Sequence, residues 1–191
     1  MFVKICGITN REDALAAVDA GARAIGFVFY PRSPRAVTAT QIEAFVADIP
    51  PGVWKVGVFV DESPARIEEI GTRLGLDIAQ LHGAETPAAH PHGLRVWKAF
   101  RLTSGAVADG NYPAEAILLD GPSSGKPFDW SLGENFPAKL IVAGGLDETN
   151  VREAIARAHP WGVDVSSGVE AAPGRKDHAR MKLFIQAALG S

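Results

Sequence analysis

A single cysteine, Cys6, stands in a chain of 191 residues, so no intrachain disulfide can form. Disulfides belong to oxidising compartments and free thiols to the cytosol, and the sequence therefore reads as a cytoplasmic protein stabilised by its core. Charge of one sign is equally scarce. Nineteen Lys and Arg against 22 Asp and Glu leave a net charge of −3, with no basic field for nucleic acid and no acidic tail. Long apolar runs are missing: none approaches the roughly 20 residues of a membrane span. No basic segment with a signal-type apolar stretch precedes Phe2, where strand-like sequence begins. Of the five histidines, His90-Pro91-His92 is broken by proline and His82, His159 and His178 stand alone, which leaves no metal spacing. Nucleic acid, a membrane and a structural zinc site are thus not expected as partners. The oligomeric state is left open, with a monomer favoured over an assembly.

What is present is an alternation. Short apolar runs at Phe2–Ile5, Ala24–Val28, Trp54–Val60, Ile78–Leu81, Val96–Phe100, Ala116–Leu119, Leu140–Ala143 and Gly162–Val165 are apolar on nearly every residue. Strands buried on both faces have that character, as in a parallel sheet under helical cover. Helical patterns lie between them. Asn10 to Ala20 is stopped by Gly21, and Thr40 to Ile49 by Pro50-Pro51. Ser63-Pro64 reads as cap and first position of a helix closed by Gly75. Asp147 to Ala158 carries an apolar stripe, and a last helix from about Asp177 turns Met181, Phe184, Ile185 and Ala188 inward. Thr103–Asn111 and Ser131–Pro137 are weak, so the helices there are expected to be short or 3₁₀. Strands alternating with helices form right-handed βαβ units. With no linker or low-complexity segment, the expectation is one domain over 1–191: a compact (β/α)₈ TIM barrel of α/β class with shortened helices 5 and 6. Typical barrels have about 250 residues. An open doubly wound sheet is the rival, but Cys6-Gly7-Ile8-Thr9 stands where its glycine-rich dinucleotide turn belongs.

The ends of four strands carry the residues of interest. Cys6 follows the first, Asp120 the sixth, Gly144-Gly145 the seventh and Ser166-Ser167-Gly168 the eighth. In a parallel barrel those ends form the rim that does chemistry. A lone cysteine is most often a small buried hydrophobe. At the end of a barrel strand, beside Gly7, a thiolate can instead serve as a base if nearby positive charge lowers its free pKa of about 8.5. Lys4, two residues back, points to the same side by strand periodicity and is a source of that charge. Asp120 before Gly121-Pro122 either caps a turn or acts as a general acid facing Cys6. The turns at Gly144-Gly145 and Ser166-Ser167 either need small residues for geometry or offer backbone N–H groups to a phosphate. Arg32 and Arg35, in a loop stiffened by Pro31 and Pro34, suit a carboxylate or a solvated surface. His82, ending the fourth strand, touches substrate or supports its neighbours. The segment Gly121 to Pro127 superficially suggests a Walker loop, but it is one residue short and Pro127 replaces the hydroxyl. It is read instead as a mobile active-site loop.

Taken together, Lys4-Ile5-Cys6-Gly7-Ile8-Thr9, Gly26 to Arg35, Val56-Gly57-Val58-Phe59-Val60, Gln80-Leu81-His82-Gly83, Phe128-Asp129-Trp130, Ala143-Gly144-Gly145-Leu146 and Gly162 to Glu170 resemble the phosphoribosylanthranilate isomerases of tryptophan biosynthesis, in order and from end to end. The resemblance implies a (β/α)₈ isomerase that uses no cofactor and takes a small phosphoribosyl substrate. Its reaction is the Amadori rearrangement of N-(5-phosphoribosyl)anthranilate to 1-(2-carboxyphenylamino)-1-deoxyribulose 5-phosphate, an aldose–ketose isomerisation. It further implies Cys6 as general base, Asp120 as general acid and Arg35 on the anthranilate carboxylate. Gly144, Gly145, Ser166 and Ser167 fall on the phosphate turns, and Lys4, His82 and Asp164 fall near the substrate. The loop after Asp120 departs from the Gly-Gly-Thr-Gly of relatives, which implies altered loop mobility and product release, not altered chemistry. Two alternatives remain. The histidine-pathway isomerase performs the same rearrangement but has a carboxylate where Cys6 stands. A non-catalytic phosphate-binding barrel would have no use for both Cys6 and Asp120.

Overall fold

The computed structural model describes residues 1–102, 109–121 and 129–190. Its centre is a closed barrel of eight parallel strands in sequence order: β1 (Phe2–Cys6), β2 (Ala24–Val28), β3 (Trp54–Phe59), β4 (Ile78–Leu81), β5 (Arg95–Arg101), β6 (Ala116–Asp120), β7 (Leu140–Val142) and β8 (Gly162–Val165), with β8 closing on β1. The expected strands are all present, shifted by no more than a residue at either end.

The two-faced apolar character of the strands has a direct cause. On β6, Ile117 and Leu119 point outward into the layer shared with the helices, while Ala116 and Leu118 point into the barrel. The same alternation places Ala24, Val56, Ile78, Trp97 and Ile141 inside. The floor of the barrel is closed by rings. Phe2 stacks on Trp161 at 4.4 Å, and Trp54 and Trp97 pack edge to face at 6.1 Å. Such pairs add to the area they bury. With the floor filled, the barrel cavity formed by the described residues opens at the C-terminal ends of the strands.

Among the described residues, the helical layer consists of α1 (Arg11–Ala20), α2 (Ala39–Glu43), α3 (Pro64–Leu74), α4 (Val151–Ala158) and α5 (His178–Leu189). The Ser63 cap and the Gly21 and Gly75 stops read from the sequence are in place, and Asn10 and Asp177 cap two further helices. The side chains of Asn10, Ser63 and Asp177 accept backbone N–H groups at the first turns of α1, α3 and α5, and Gly21 and Gly75 adopt the left-handed conformation at the ends of α1 and α3. The expected helix from Thr40 to Ile49 is broken. It stops at Glu43 and resumes as a 3₁₀ turn at Val46–Asp48, because Phe45 leaves helical geometry (φ −144°) and its ring meets Phe27 edge to face. The helix expected from Asp147 begins only at Val151, since the Asp147 carboxylate accepts from the Thr149 and Asn150 amides and forms a turn of its own.

Shortening is distributed differently from the expectation. A 3₁₀ turn at Trp130–Gly133 stands for the sixth helix, as anticipated. For the fifth, residues 103–108 lie outside those described. A further economy occurs between β4 and β5, where a 3₁₀ turn at Pro87–Ala89 replaces a whole helix. Pro87 and Pro91 leave too few free N–H groups in that stretch for a longer helix. Beyond β8 lies an antiparallel hairpin, β9 (Glu170–Ala172) with β10 (Arg175–Lys176), which the sequence reading did not mark. No described helix is long and apolar enough to cross a membrane.

Candidate active site

Strand register assembles the site from the inside. Cys6 pairs with Gly26 across β1 and β2, and Lys4 pairs with Asp164 across β1 and β8. Lys4 is fully buried, one layer deeper than Cys6, and its Nζ donates to Asp164 Oδ1 at 2.9 Å. A Cβ at position 26 would stand 2.9 Å from Cys6 Sγ and 3.1 Å from Lys4 Nζ, so glycine there makes room for thiol and ammonium side by side.

Burial and charge oppose each other at this point. Burial pushes the Cys6 thiol up. The Lys4 ammonium and, more weakly, Lys176 pull it back without cancelling the rise. The charge expected from Lys4 is present beside the thiol, but desolvation is larger. Burial works to lower Lys4, yet Asp164 and Cys6 outweigh it and hold the ammonium above its usual value. Burial raises Asp164 against the pull of Lys4.

Across the mouth, β4 and β6 bring together His82 and Asp120. His82 Nε2 lies 3.2 Å from Asp120 Oδ2, and its Nδ1 lies 3.3 Å from the Gln80 amide nitrogen. The imidazole thus bridges the Gln80 amide and the Asp120 carboxyl, and which ring nitrogen donates follows its tautomer. Arg101 Nη2 stands 3.9 Å from the same carboxylate oxygen. The loop that carries His82 is anchored from below by buried Lys98, which donates to the Gly83 carbonyl at 2.6 Å and pairs with Glu85 at 2.7 Å.

The turns after β7 and β8 are built by glycine. Gly144 and Gly145 have φ of 74° and 68°, and a Cβ on Gly144 would collide with the Gly121 amide beside Asp120. A Cβ on Gly168 would collide with the Leu146 carbonyl, so the two turns are packed into each other. The Ser166 hydroxyl is buried and has no hydrogen-bond partner among the described residues.

These groups face one cavity of about 300 Å³ at the C-terminal mouth. Cys6, Arg35, His82, Asp120, Gly144, Gly145, Asp164, Ser166 and Ser167 all line it. Lys4 does not. It lies below, and its placement makes it a partner of Cys6 and Asp164 instead of a wall of the cavity. Tyr30, Ser33 and Arg101 are further lining residues that the sequence reading missed. Of the expected loop over Gly121 to Pro127, everything beyond Gly121 lies outside the described residues. No cluster of three metal-ligating side chains occurs among the described residues.

A closed (β/α)₈ barrel whose C-terminal mouth gathers a thiol, a carboxyl–imidazole pair and two glycine- and serine-built turns belongs to the barrel enzymes, which place their active sites at that mouth. The sequence model of the family described as N-(5'-phosphoribosyl)anthranilate (PRA) isomerase matches residues 3–187. A curated N-(5'-phosphoribosyl)anthranilate isomerase of Solibacter usitatus is 51% identical over 197 residues, covering 98% of this chain and 97% of that one. The solved phosphoribosyl anthranilate isomerase of Thermotoga maritima superposes with a TM-score of 0.92 at 42% identity, covering 100% of both chains. A structure of such an isomerase with reduced 1-(o-carboxyphenylamino)-1-deoxyribulose 5-phosphate gives 0.90 at 42% identity over 100% of both chains. The chain belongs to the N-(5'-phosphoribosyl)anthranilate isomerase family.

Proposed function

We propose that the chain, acting as one catalytic domain over 1–191, isomerises N-(5'-phosphoribosyl)anthranilate with Cys6 as general base and Asp120 as general acid. The observation that carries this reading is the single cavity shared by the thiol, the carboxyl and the two turns. Asp120 protonates the furanose ring oxygen, the C1'–O bond breaks, and the anthranilate nitrogen becomes an iminium. The iminium acidifies the C2' hydrogen. Cys6 as thiolate removes it to give an enolamine, which loses its enol proton and gains one at C1' to become the ketone. Each positioned proton transfer contributes typically 10²–10⁴-fold.

The other roles follow from placement. The N–H-rich turns at Gly144-Gly145 and Ser166-Ser167 hold the phosphate, and the unpartnered Ser166 hydroxyl supports that assignment. Holding one end of the opened, flexible chain keeps the reacting carbon at Cys6. His82 orients the Asp120 carboxyl, and Asp164 keeps Lys4 charged beside the thiol. The cytoplasm suits a protein whose only cysteine must stay reduced. A monomer is sufficient for this work, since one chain supplies both reacting groups. The direct test is turnover of N-(5'-phosphoribosyl)anthranilate, generated in situ and followed by loss of anthranilate-type fluorescence; folded protein without turnover would overturn the reading.

Two smaller effects are expected. Arg35→Ala should raise KM for the substrate about tenfold or more, the worth of a charge-assisted contact. A simple sugar phosphate, tested as an inhibitor, should bind nearly as before; equal losses would place Arg35 away from the carboxylate. Gly26→Ala should push Cys6 Sγ and Lys4 Nζ apart and lower kcat by about 10²-fold, the scale of a 1 Å misplacement. Steady-state kinetics beside circular dichroism would check it, and wild-type kcat in a folded variant would show that the thiol tolerates displacement.

A further inference from the structure

Arg35 is not free in the cavity wall. Its Nε donates to Glu170 Oε1 at 2.7 Å and its Nη2 to Oε2 at 2.6 Å, a two-pronged pair with side chains 15% and 5% exposed. Glu170 Oε1 also accepts from Lys176 Nζ at 2.9 Å and from the Gly174 amide at 3.3 Å. Lys176 Nζ in turn donates to the Ser166 carbonyl at 3.1 Å, and its amide donates to Asp13 at 2.9 Å. Thr9, in the loop after β1, donates to the Gly174 carbonyl at 2.6 Å. The hairpin after β8 thereby grips the loops that follow β1, β2 and β8.

A partly buried cluster of two cations and one carboxylate is a weak way to pin a hairpin, because apolar packing of similar volume serves stability as well or better. Its geometry points elsewhere. Glu170 consumes the Nε–Nη2 edge of Arg35, while Nη1 has no hydrogen-bond partner among the described residues, and Arg35 lines the cavity. Gly7 makes the posture possible, since a Cβ there would stand 2.5 Å from Arg35 Cδ. The three charges sum to one positive charge, presented at the cavity wall by Arg35.

We propose that Glu170 is a positioning residue that sets preference for a carboxylate-bearing substrate, by holding one edge of Arg35 and turning the other edge to the cavity. The inference rests on the reading that Arg35 meets the substrate carboxylate. Losing Glu170 frees the guanidinium to rotate, so the affinity lost belongs to that carboxylate and not to the phosphate.

The test uses two probes: reduced 1-(2-carboxyphenylamino)-1-deoxyribulose 5-phosphate, and the same molecule with a phenylamino group lacking the carboxyl. The ratio of their dissociation constants measures carboxylate preference. Glu170→Gln and Glu170→Asp should each cut that ratio about tenfold, or about 1.4 kcal/mol, by weakening the first probe alone. KM for the substrate should rise with it, by more than kcat falls. Glu170→Asp keeps the charge beside Lys176 but is too short to bracket Arg35, so it decides the matter if Glu170→Gln does not fold. Equal weakening of both probes would show a structural staple acting on the phosphate turn and overturn the proposal, as would an unchanged ratio. Arg35→Ala separates the two readings. If it preserves the ratio, the Arg35 assignment fails; if it abolishes the ratio and the Glu170 variants preserve it, only the positioning role fails.

Discussion

Cys6→Ala is expected to lower kcat by at least ~10²-fold, the low end for loss of a general base, in a protein that remains folded. The substitution removes one sulfur from a buried position and leaves the Lys4–Asp164 pair and the Gly26 backbone around it. A small cavity of this kind costs on the order of 1 kcal/mol, well short of unfolding a typical domain. Single-turnover kinetics on the purified variant would measure the loss, and near-wild-type turnover would remove Cys6 from the mechanism. An independent reading comes from pH. Burial raises the thiol against the pull of Lys4. Alkylation of Cys6 by iodoacetamide should accelerate with pH through a midpoint above the usual value of about 8.5. Lys4→Met takes away the ammonium that opposes the rise and should move that midpoint higher. A midpoint below the ordinary range in the wild type would mean that neighbouring charge, not desolvation, governs the site.

Asp120→Asn is expected to lower kcat by about 10²–10⁴-fold while the reduced product analogue still binds. The amide has the size of the carboxyl and can keep an oxygen toward His82 Nε2, so the wall of the cavity survives. It cannot deliver a proton to the ring oxygen. Without that proton the C1'–O bond has a poor leaving group and no iminium forms for Cys6 to act on. Titration calorimetry with the analogue separates the two roles. Binding lost together with turnover would make Asp120 a structural member of the mouth instead of the acid.

The barrel was legible because its strands are apolar on both faces, a pattern with few other causes, and because caps such as Ser63-Pro64 and Gly75 mark the helices between them. Cys6, Asp120 and the glycine turns were legible for the same reason: each ends a strand, and a parallel barrel brings all strand ends to one rim. Depth was not. Periodicity puts Lys4 on the side of Cys6, yet only barrel closure shows that two residues separate a wall of the cavity from its foundation. The balance at the thiol was likewise hidden, since desolvation depends on packing from every strand. Phe45 breaks a helix for a tertiary contact that no local pattern announces. The hairpin bearing Glu170 and Lys176 left one usable trace, the Pro173-Gly174 turn. Its strands are too short for any alternation to be counted.

The ring-filled floor has a kinetic consequence. Among the described residues, Phe2, Trp54, Trp97 and Trp161 fill the lower end of the barrel, so the molecule is a vessel whose doorway is the C-terminal mouth. Whatever enters must leave by the same route, and a departing product blocks the next arrival for as long as it lingers. Accumulated product should therefore act as a purely competitive inhibitor, with no ternary complex at any concentration.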